Sequence, residues 1–186
     1  MSHKKIIVTG GAGFIGSAVV WRLNEMGHDD IIIVDRRDDP AKENNLAPLK
    51  FAEFVDADEF IKRLDDFSET DAIIHMGADS STTATDREWM KRNNYQYTLD
   101  LAEFAVANDV RFIYASSAAT YGDGSAGMAD GTDDLDNLKP LNLYGESKHL
   151  FDQYAAQNGM FDRIVGLKYF NVFGPNENHK GDMRSL

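Results

Sequence analysis

The sequence predicts a doubly wound, parallel α/β sheet, and three observations carry that prediction. Short apolar runs recur at Lys5 to Val8, Ile31 to Val34, Ala72 to His75, Arg111 to Ala115 and Arg163 to Tyr169, each followed by a turn and usually by a stretch with helical spacing. The runs are continuously apolar rather than alternating, which suits strands whose sheet is covered by helices on both faces. A glycine-dense turn, Gly10 to Gly16, joins the first run to the first helical stretch.

At 186 residues the chain can bury one sizeable core, so length predicts one domain, or one domain and an unfinished second. Hydrophobic residues at 42% and charged residues at 27% argue against both a disordered chain and a membrane protein. A net charge of -12 opposes nucleic acid and anionic lipid as partners, and any anionic ligand must be met by backbone donors or a few placed cations. The absence of cysteine removes disulfides, thiolate nucleophiles and cysteine metal sites. Met1 to Lys5 lead directly into Ile6-Ile7-Val8, an apolar run too short for a secretion signal or a membrane span, so the cytoplasm is the simplest location.

Helices are expected over Ile15 to Met26, Asp58 to Leu64, Arg87 to Ala107 and Tyr144 to Gln157. Between Gly122 and Lys139 the chain is rich in Gly, Asp and Ser without periodicity, which reads as a long loop over an active site or as a disordered insertion. The end of the chain follows a strand-like segment and a Gly-Pro turn without a closing element, as expected of a truncated chain.

Gly11, Gly13 and Gly16 fit the G-x-G-x-x-G spacing, after a strand and before a helix, which is the context that motif needs. Glycines there allow the turn, the backbone's approach to a pyrophosphate and close helix packing, while the helix N-terminus offers N–H donors and a positive dipole end. A glycine-rich turn without a ligand is the bland alternative. Asp35 ends the second strand about 20 residues further on, where an acid usually accepts from a ribose hydroxyl, and this weighs for a Rossmann-type dinucleotide site. Asp35 suits a free 2′-hydroxyl, whereas Arg36, Arg37 and Lys42 suit a 2′-phosphate. The cations outnumber the acid, so NADP is favoured over NAD.

Tyr144 and Lys148 stand four apart, hence on one face of a helix. A free phenol has a pKa of roughly 10, so a nearby ammonium is expected to favour the phenolate that takes a hydroxyl proton during hydride transfer. Ser117 follows the fourth apolar run, at the sheet edge where ligands bind, and its hydroxyl can orient a substrate oxygen. A Tyr-x-x-x-Lys pair alone is mostly an inert surface pair; with Ser117 and the glycine turn it becomes a catalytic set. His75 ends an apolar strand with no second metal ligand at useful spacing and reads as structural, with no metal expected. Asp38-Asp39 and Asp133-Asp134 read as solvated loop charges.

Together these residues resemble the extended short-chain dehydrogenase/reductase family, with its Thr-Gly-x-x-Gly-x-x-Gly turn from Thr9, strand-end serine and Tyr-x-x-x-Lys, over nearly the whole chain. The strings Ser80 to Thr83, Asn93 to Tyr97, Tyr114 to Gly122, Tyr169 to Pro175 and His179 to Gly181 are most similar to its ADP-heptose 6-epimerase branch. That resemblance implies a tightly held NADP, oxidation at heptose C6″ with reduction on the opposite face, an ADP-heptose substrate, a role in lipopolysaccharide inner-core synthesis, and a homo-oligomer. It implies a dinucleotide-binding domain over 1–170 and the start of a substrate-binding portion over 171–186. Catalysis would fall to Tyr144 and Lys180 as paired acid/base groups, with Ser117, and with Lys148 holding the nicotinamide ribose. Gly10, Gly11, Gly13, Phe14, Ile15, Gly16, Asp35, Arg36, Lys42, Met76, Gly77, Ala78, Asp79, Ser80, Asn93, Lys148 and Val172 would line the cofactor; Ser117 and Asn171 would touch the sugar nucleotide.

Without the resemblance, Phe14, Ile15 and Val172 read as packing residues, Asn93 as a helix residue and Lys180 as a solvated charge. Ala57 and Asp182 depart from the branch, which can present a lysine and a small hydroxyl residue there. The competing readings are another sugar-nucleotide epimerase, dehydratase or reductase on the same fold, and a non-catalytic nucleotide-binding fragment.

Overall fold

A computed structural model describes residues 5–37 and 39–177. Six strands, β1 (Ile6–Thr9), β2 (Ile31–Asp35), β3 (Glu53–Asp56), β4 (Ala72–His75), β5 (Arg111–Ser117) and β6 (Ile164–Tyr169), form one sheet in the order β3-β2-β1-β4-β5-β6. Every pairing is parallel, and the order reverses direction between β1 and β4, where Thr9 lies beside His75. This is the doubly wound Rossmann arrangement, and its ligand crevice opens at such a switch point, beyond the C-terminal ends of the strands.

Side chains along each strand alternate between two cores. Ile6, Val8, Ile31 and Ile33 pack with Val20 of α1 (Phe14–Glu25) and Leu46 of α2 (Glu43–Leu46). On the other face Ile7, Ile32, Ile73, Phe112 and Tyr114 pack with Phe60 of α3 (Ala57–Phe60), Leu101 of α5 (Tyr97–Ala107) and Phe151 of α6 (Leu143–Gln157). Both faces of the central strands are therefore buried, the physical reason their sequence is continuously apolar.

The structure differs from the sequence expectations in three places. β3 has no counterpart among the predicted strands: Glu-Phe-Val-Asp is short, sits at the sheet edge and buries only Val55. The helix expected over Arg87 to Ala107 is α4 (Arg87–Met90), a π-helical segment (Lys91–Gln96) and then α5. The helix expected over Asp58 to Leu64 is α3 followed by a 3-10 segment (Ile61–Phe67) with a kink at Arg63. The segment from Gly122 to Lys139 is a loop, as expected, pinned where Leu135 and Leu138 are buried against Tyr121 and the Tyr121 hydroxyl donates to Ala129 O at 3.2 Å. Gly122 anchors its start at φ 64°, where a Cβ would lie 2.0 Å from Lys139 O.

Candidate functional site

The glycine turn is shaped by contact with the neighbouring strand end. Gly10 takes the left-handed conformation at φ 65°, and a Cβ there would fall 2.6 Å from Gly77 N, so the turns after β1 and β4 touch backbone to backbone. At Gly16 a Cβ would lie 2.0 Å from Gly10 O, which lets α1 begin directly on the turn. Gly11, also close-packed, rests on Ile33, and Phe14 is buried, while Gly13 and Ile15 are half-buried. The first turn of α1 carries no acidic side chain, so nothing of that kind offsets its positive dipole end.

Asp35 ends β2 and faces this turn. Its carboxylate accepts from Ala12 N at 3.0 Å, Arg36 N at 2.8 Å and Lys42 Nζ at 3.1 Å. Arg36 reaches across to Asn93 Oδ1 at 2.6 Å and Asp58 Oδ1 at 2.9 Å, and lies over the Trp89 ring at 5.3 Å. The structure thus gathers Asp35, Arg36, Lys42 and Asn93 beyond β2, and Arg37 stacks on Phe54 at 4.4 Å. Arg36 and its neighbours hold the Asp58 carboxyl below its usual range, chiefly through that hydrogen bond. Ala57, at the start of α3, offers only its carbonyl, to Tyr97 Oη at 3.1 Å.

Met76 to Ser80 leave β4 over the same crevice. Met76 N donates to Thr9 O at 3.0 Å and Gly77 N to Thr9 Oγ1 at 3.3 Å. Ala78 and Ser80 are exposed. Asp79 is tied on both sides by Asn94, which accepts from Asp79 N at 2.9 Å and donates to Asp79 O at 2.9 Å, and it accepts from Trp89 Nε1 at 2.8 Å. Asn94 also donates to Ser147 Oγ at 3.1 Å. The π-helical segment lets successive residues Asn93 and Asn94 both turn inward, a geometry frequent at functional sites. Asn94 is a hub that sequence reasoning misses, since it singles out Asn93 instead.

Ser117, Tyr144 and Lys148 converge at the C-terminal end of β5. Asn142 caps α6, its Oδ1 accepting from Gly145 N at 2.8 Å, and so sets the first turn, which carries Tyr144. Gly145 lets α6 press on the chain after Ser117, since a Cβ would meet Ala119 O at 2.7 Å. Burial pushes the Tyr144 phenol up, and a hydrogen bond with Ser117 pulls the other way. Lys148 is 3% exposed, its Nζ has no hydrogen-bond partner, and burial brings its pKa down to about 8. His75, fully buried, is bonded through Nδ1 to Thr9 Oγ1 at 2.6 Å and through Nε2 to Thr98 Oγ1 at 2.9 Å, and burial first, then Lys148, keeps it neutral. A cleft of about 360 Å³ opens against the first turn of α6, between Thr82, Thr83 and Arg87 on one side and Leu141, Asn142 and Glu146 on the other.

Residues 6–186 match the sequence profile of the NAD dependent epimerase/dehydratase family. The chain belongs to that family. It is 51% identical over 183 residues to ADP-L-glycero-D-manno-heptose-6-epimerase of Nitratidesulfovibrio vulgaris, covering 97% of this chain and 57% of that protein. Among solved structures, ADP-L-glycero-D-manno-heptose-6-epimerase of Helicobacter pylori superposes with a TM-score of 0.84 at 33% identity, over 98% of this chain and 60% of that one. UDP-glucuronic acid 4-epimerase of Bacillus cereus, solved with NAD, gives 0.74 at 28% identity, over 92% of this chain and 58% of that one. The chain thus spans a little under three fifths of the length of the curated relative, at 57%.

For a member of the NAD dependent epimerase/dehydratase family, two further features lie beyond the motifs. Asp152, one turn after Lys148, is buried and accepts from Tyr114 Oη and Ser116 Oγ, both at 2.6 Å, and from Lys168 Nζ at 3.1 Å. The signal available in the sequence was a carboxylate at helical spacing from Lys148 facing an apolar strand. Residues 171–177 return to the cofactor turn. Asn176 donates to Ser17 Oγ at 3.2 Å, buried Asn45 donates to both Ala12 O at 3.0 Å and Asn176 O at 3.3 Å, and Gly174 lies against the Phe14 ring. Val172 is half-buried and Asn171 exposed. Lys180, the rest of the His179 to Gly181 string, Asp182 and Asp38 lie outside the described residues. Among the described residues there is no cluster of metal-ligating side chains and no helix long and apolar enough to cross a membrane.

Proposed function

We propose that this chain is the dinucleotide-binding part of a sugar-nucleotide epimerase that interconverts the C6″ configurations of ADP-D-glycero-D-manno-heptose and ADP-L-glycero-D-manno-heptose, with NADP as its held cofactor. The observation that carries this reading is Lys148: a buried ammonium with no hydrogen-bond partner, beyond the C-terminal end of β5, one helical turn from Tyr144. A buried cation without a partner is costly, and the ribose hydroxyls of a nicotinamide nucleotide are acceptors of the right chemistry for it. The glycine turn fits the pyrophosphate by the same test, since side chains at Gly10 and Gly16 would collide with backbone where the turn must stay bare. Gly10 to Gly16, Asp35, Arg36, Lys42, Met76 to Ser80, Asn93, Lys148 and Val172 would hold the cofactor. The three cations Arg36, Arg37 and Lys42 beyond β2 support NADP over NAD.

Bound NADP supplies a reversible hydride acceptor, so the exchange involves no net redox change. Tyr144 takes or returns the proton of the C6″ hydroxyl, and Ser117, hydrogen-bonded with it, fixes that oxygen. Burial raises the Tyr144 phenol, so a cation held close to it is what brings the proton within reach at neutral pH. Lys180 is the second acid/base group in this reading, and Asn171 meets the sugar nucleotide. In this reading the heptose enters the cleft lined by Thr82, Thr83, Arg87 and Asn142. The division at residue 170 and a homo-oligomeric, cytoplasmic enzyme supplying lipopolysaccharide synthesis follow from the same reading.

The test is to incubate a full-length version of the protein with ADP-D-glycero-D-manno-heptose and read the C6″ configuration of the product by NMR. Formation of the L-glycero epimer, lost by a factor of at least about 100 in Tyr144→Phe, supports the assignment. Undiminished turnover in Tyr144→Phe removes the acid/base role from that residue.

A further inference from the structure

We propose that Lys168 and Thr120 are positioning residues that fix Ser117 against Tyr144, with Asp152 joining the helix of Tyr144 to the same network. Ser117 is held at both of its polar ends: its carbonyl accepts from Thr120 Oγ1 at 2.8 Å, and its Oγ accepts from Ala119 N at 3.1 Å. Thr120 is fully buried, and its oxygen accepts in turn from Lys168 Nζ at 2.7 Å. Lys168 stands opposite Ser116 in the register of β5 with β6 and also donates to Asp152 at 3.1 Å. Asp152 is itself buried and accepts from Tyr114 Oη and Ser116 Oγ of β5, both at 2.6 Å. An unbroken chain of contacts therefore runs from α6 through β6 to the backbone of Ser117.

Two charged groups set the direction of every bond in this chain. An ammonium has donors and no lone pair, so the Thr120 proton cannot point at Lys168 and goes to the Ser117 carbonyl. An ionised carboxylate only accepts, so the Tyr114 and Ser116 hydroxyls both donate to Asp152. Hydrogen bonds to an ionised group are roughly twice as strong as neutral ones, which makes this a stiff support for the strand end. With Ala119 N already on Ser117 Oγ, the Ser117 hydroxyl proton is the one left to meet Tyr144. Tyr144, Lys148 and Asp152 follow at four-residue spacing on α6, so the carboxylate that ties the helix to β5 stands on the face that carries the other two. Thr120 and Lys168 belong to neither apolar core, and removing the Thr120 hydroxyl frees the Ser117 carbonyl while both cores stay filled.

The inference rests on the reading of Tyr144 and Ser117 as the groups that handle the C6″ hydroxyl, and the experiment separates the two. Full-length versions carrying Thr120→Val, Thr120→Ser, Lys168→Met or Lys168→Arg are assayed for C6″ epimerisation and for melting temperature. Valine keeps the shape of threonine and loses the hydroxyl, whereas serine keeps the hydroxyl and loses a buried methyl. The expected kcat is down at least about 10-fold in Thr120→Val and Lys168→Met, with KM within about 2-fold, and within about 3-fold of wild type in Thr120→Ser and Lys168→Arg. A purely structural role would lower the melting temperature of both threonine variants and leave the kcat of folded protein unmoved. A Thr120→Val less than about 10-fold down, or a Thr120→Ser that falls as far as it does, would overturn the proposal. If Thr120→Val does not fold, the two Lys168 variants decide by the same criterion. A readout that needs no substrate is the Tyr144 ¹³Cζ resonance of the labelled chain, assigned by its loss in Tyr144→Phe. It should be displaced in Thr120→Val and coincide with wild type in Thr120→Ser. A wild-type protein that leaves C6″ unchanged while this displacement occurs defeats the functional reading and leaves the positioning standing; an undisplaced resonance in Thr120→Val defeats the positioning.

Discussion

Replacing Lys148 with methionine is expected to stabilise the protein at neutral pH while removing nucleotide binding. Lys148 falls from an ordinary 10.5 to about 8 in the fold, and each unit is worth 1.36 kcal/mol. The ammonium therefore costs about 3 kcal/mol below pH 8, where both folded and unfolded chains carry it. Between 8 and 10.5 the unfolded chain binds more proton than the folded one, so wild-type stability rises with pH and the cost is gone above 10.5. Methionine fills the same buried path without a charge. Its advantage in urea denaturation should be about 3 kcal/mol at pH 7 and under about 1 kcal/mol at pH 10. Saturating NADP should raise the stability of wild type and leave Lys148→Met unmoved. A methionine variant less stable than wild type at pH 7, or equally favoured at both pH values, would refute the reasoning.

Three other perturbations test the scaffold around the site. Gly16→Ala puts a methyl on Gly10 O and should cost about 3 kcal/mol, a fall in Tm of about 6–12 °C, whereas Gly131→Ala, with open space around it, should leave Tm within a degree or two; equal melting temperatures would contradict the packing argument. Asn94→Ala strips two backbone partners from Asp79 and should cost about 2–3 kcal/mol by chemical denaturation, and a loss under about 0.5 kcal/mol would remove its hub role. His75 is held well below its ordinary 6.5, so the unfolded chain takes up a proton that the folded one refuses, and stability present above 6.5 is lost as pH falls. His75→Gln should flatten that acid limb between pH 7 and 5; an unchanged limb would assign it to other groups.

The central strands were readable because burial on both faces leaves no polar position in Ile6 to Val8 or Ile31 to Val34, and a continuous apolar run between turns is the pattern such a covered strand requires. The glycine turn was readable for a steric reason, although the residue with positive φ is Gly10 rather than a member of the Gly11, Gly13, Gly16 spacing. β3 escaped because an edge strand that buries one side chain in four needs no apolar pattern. Tyr144, Ser117 and Lys148 were visible as residue types at useful spacing, but spacing says nothing of desolvation. Burial raises the Tyr144 phenol against the pull of Ser117 and draws Lys148 down, neither of which the spacing announces. Asn94 and Asp152 were passed over for a related reason: an asparagine or aspartate on a helix looks solvated until the sheet behind it supplies the partners.

The most direct test of the cofactor assignment is to purify the protein without added nucleotide, release anything bound, identify it by mass spectrometry, and titrate the stripped protein with NADP. The expected result is NADP, bound at one equivalent or taken up at one equivalent. A protein that is purified empty and takes up neither NADP nor NAD would contradict it.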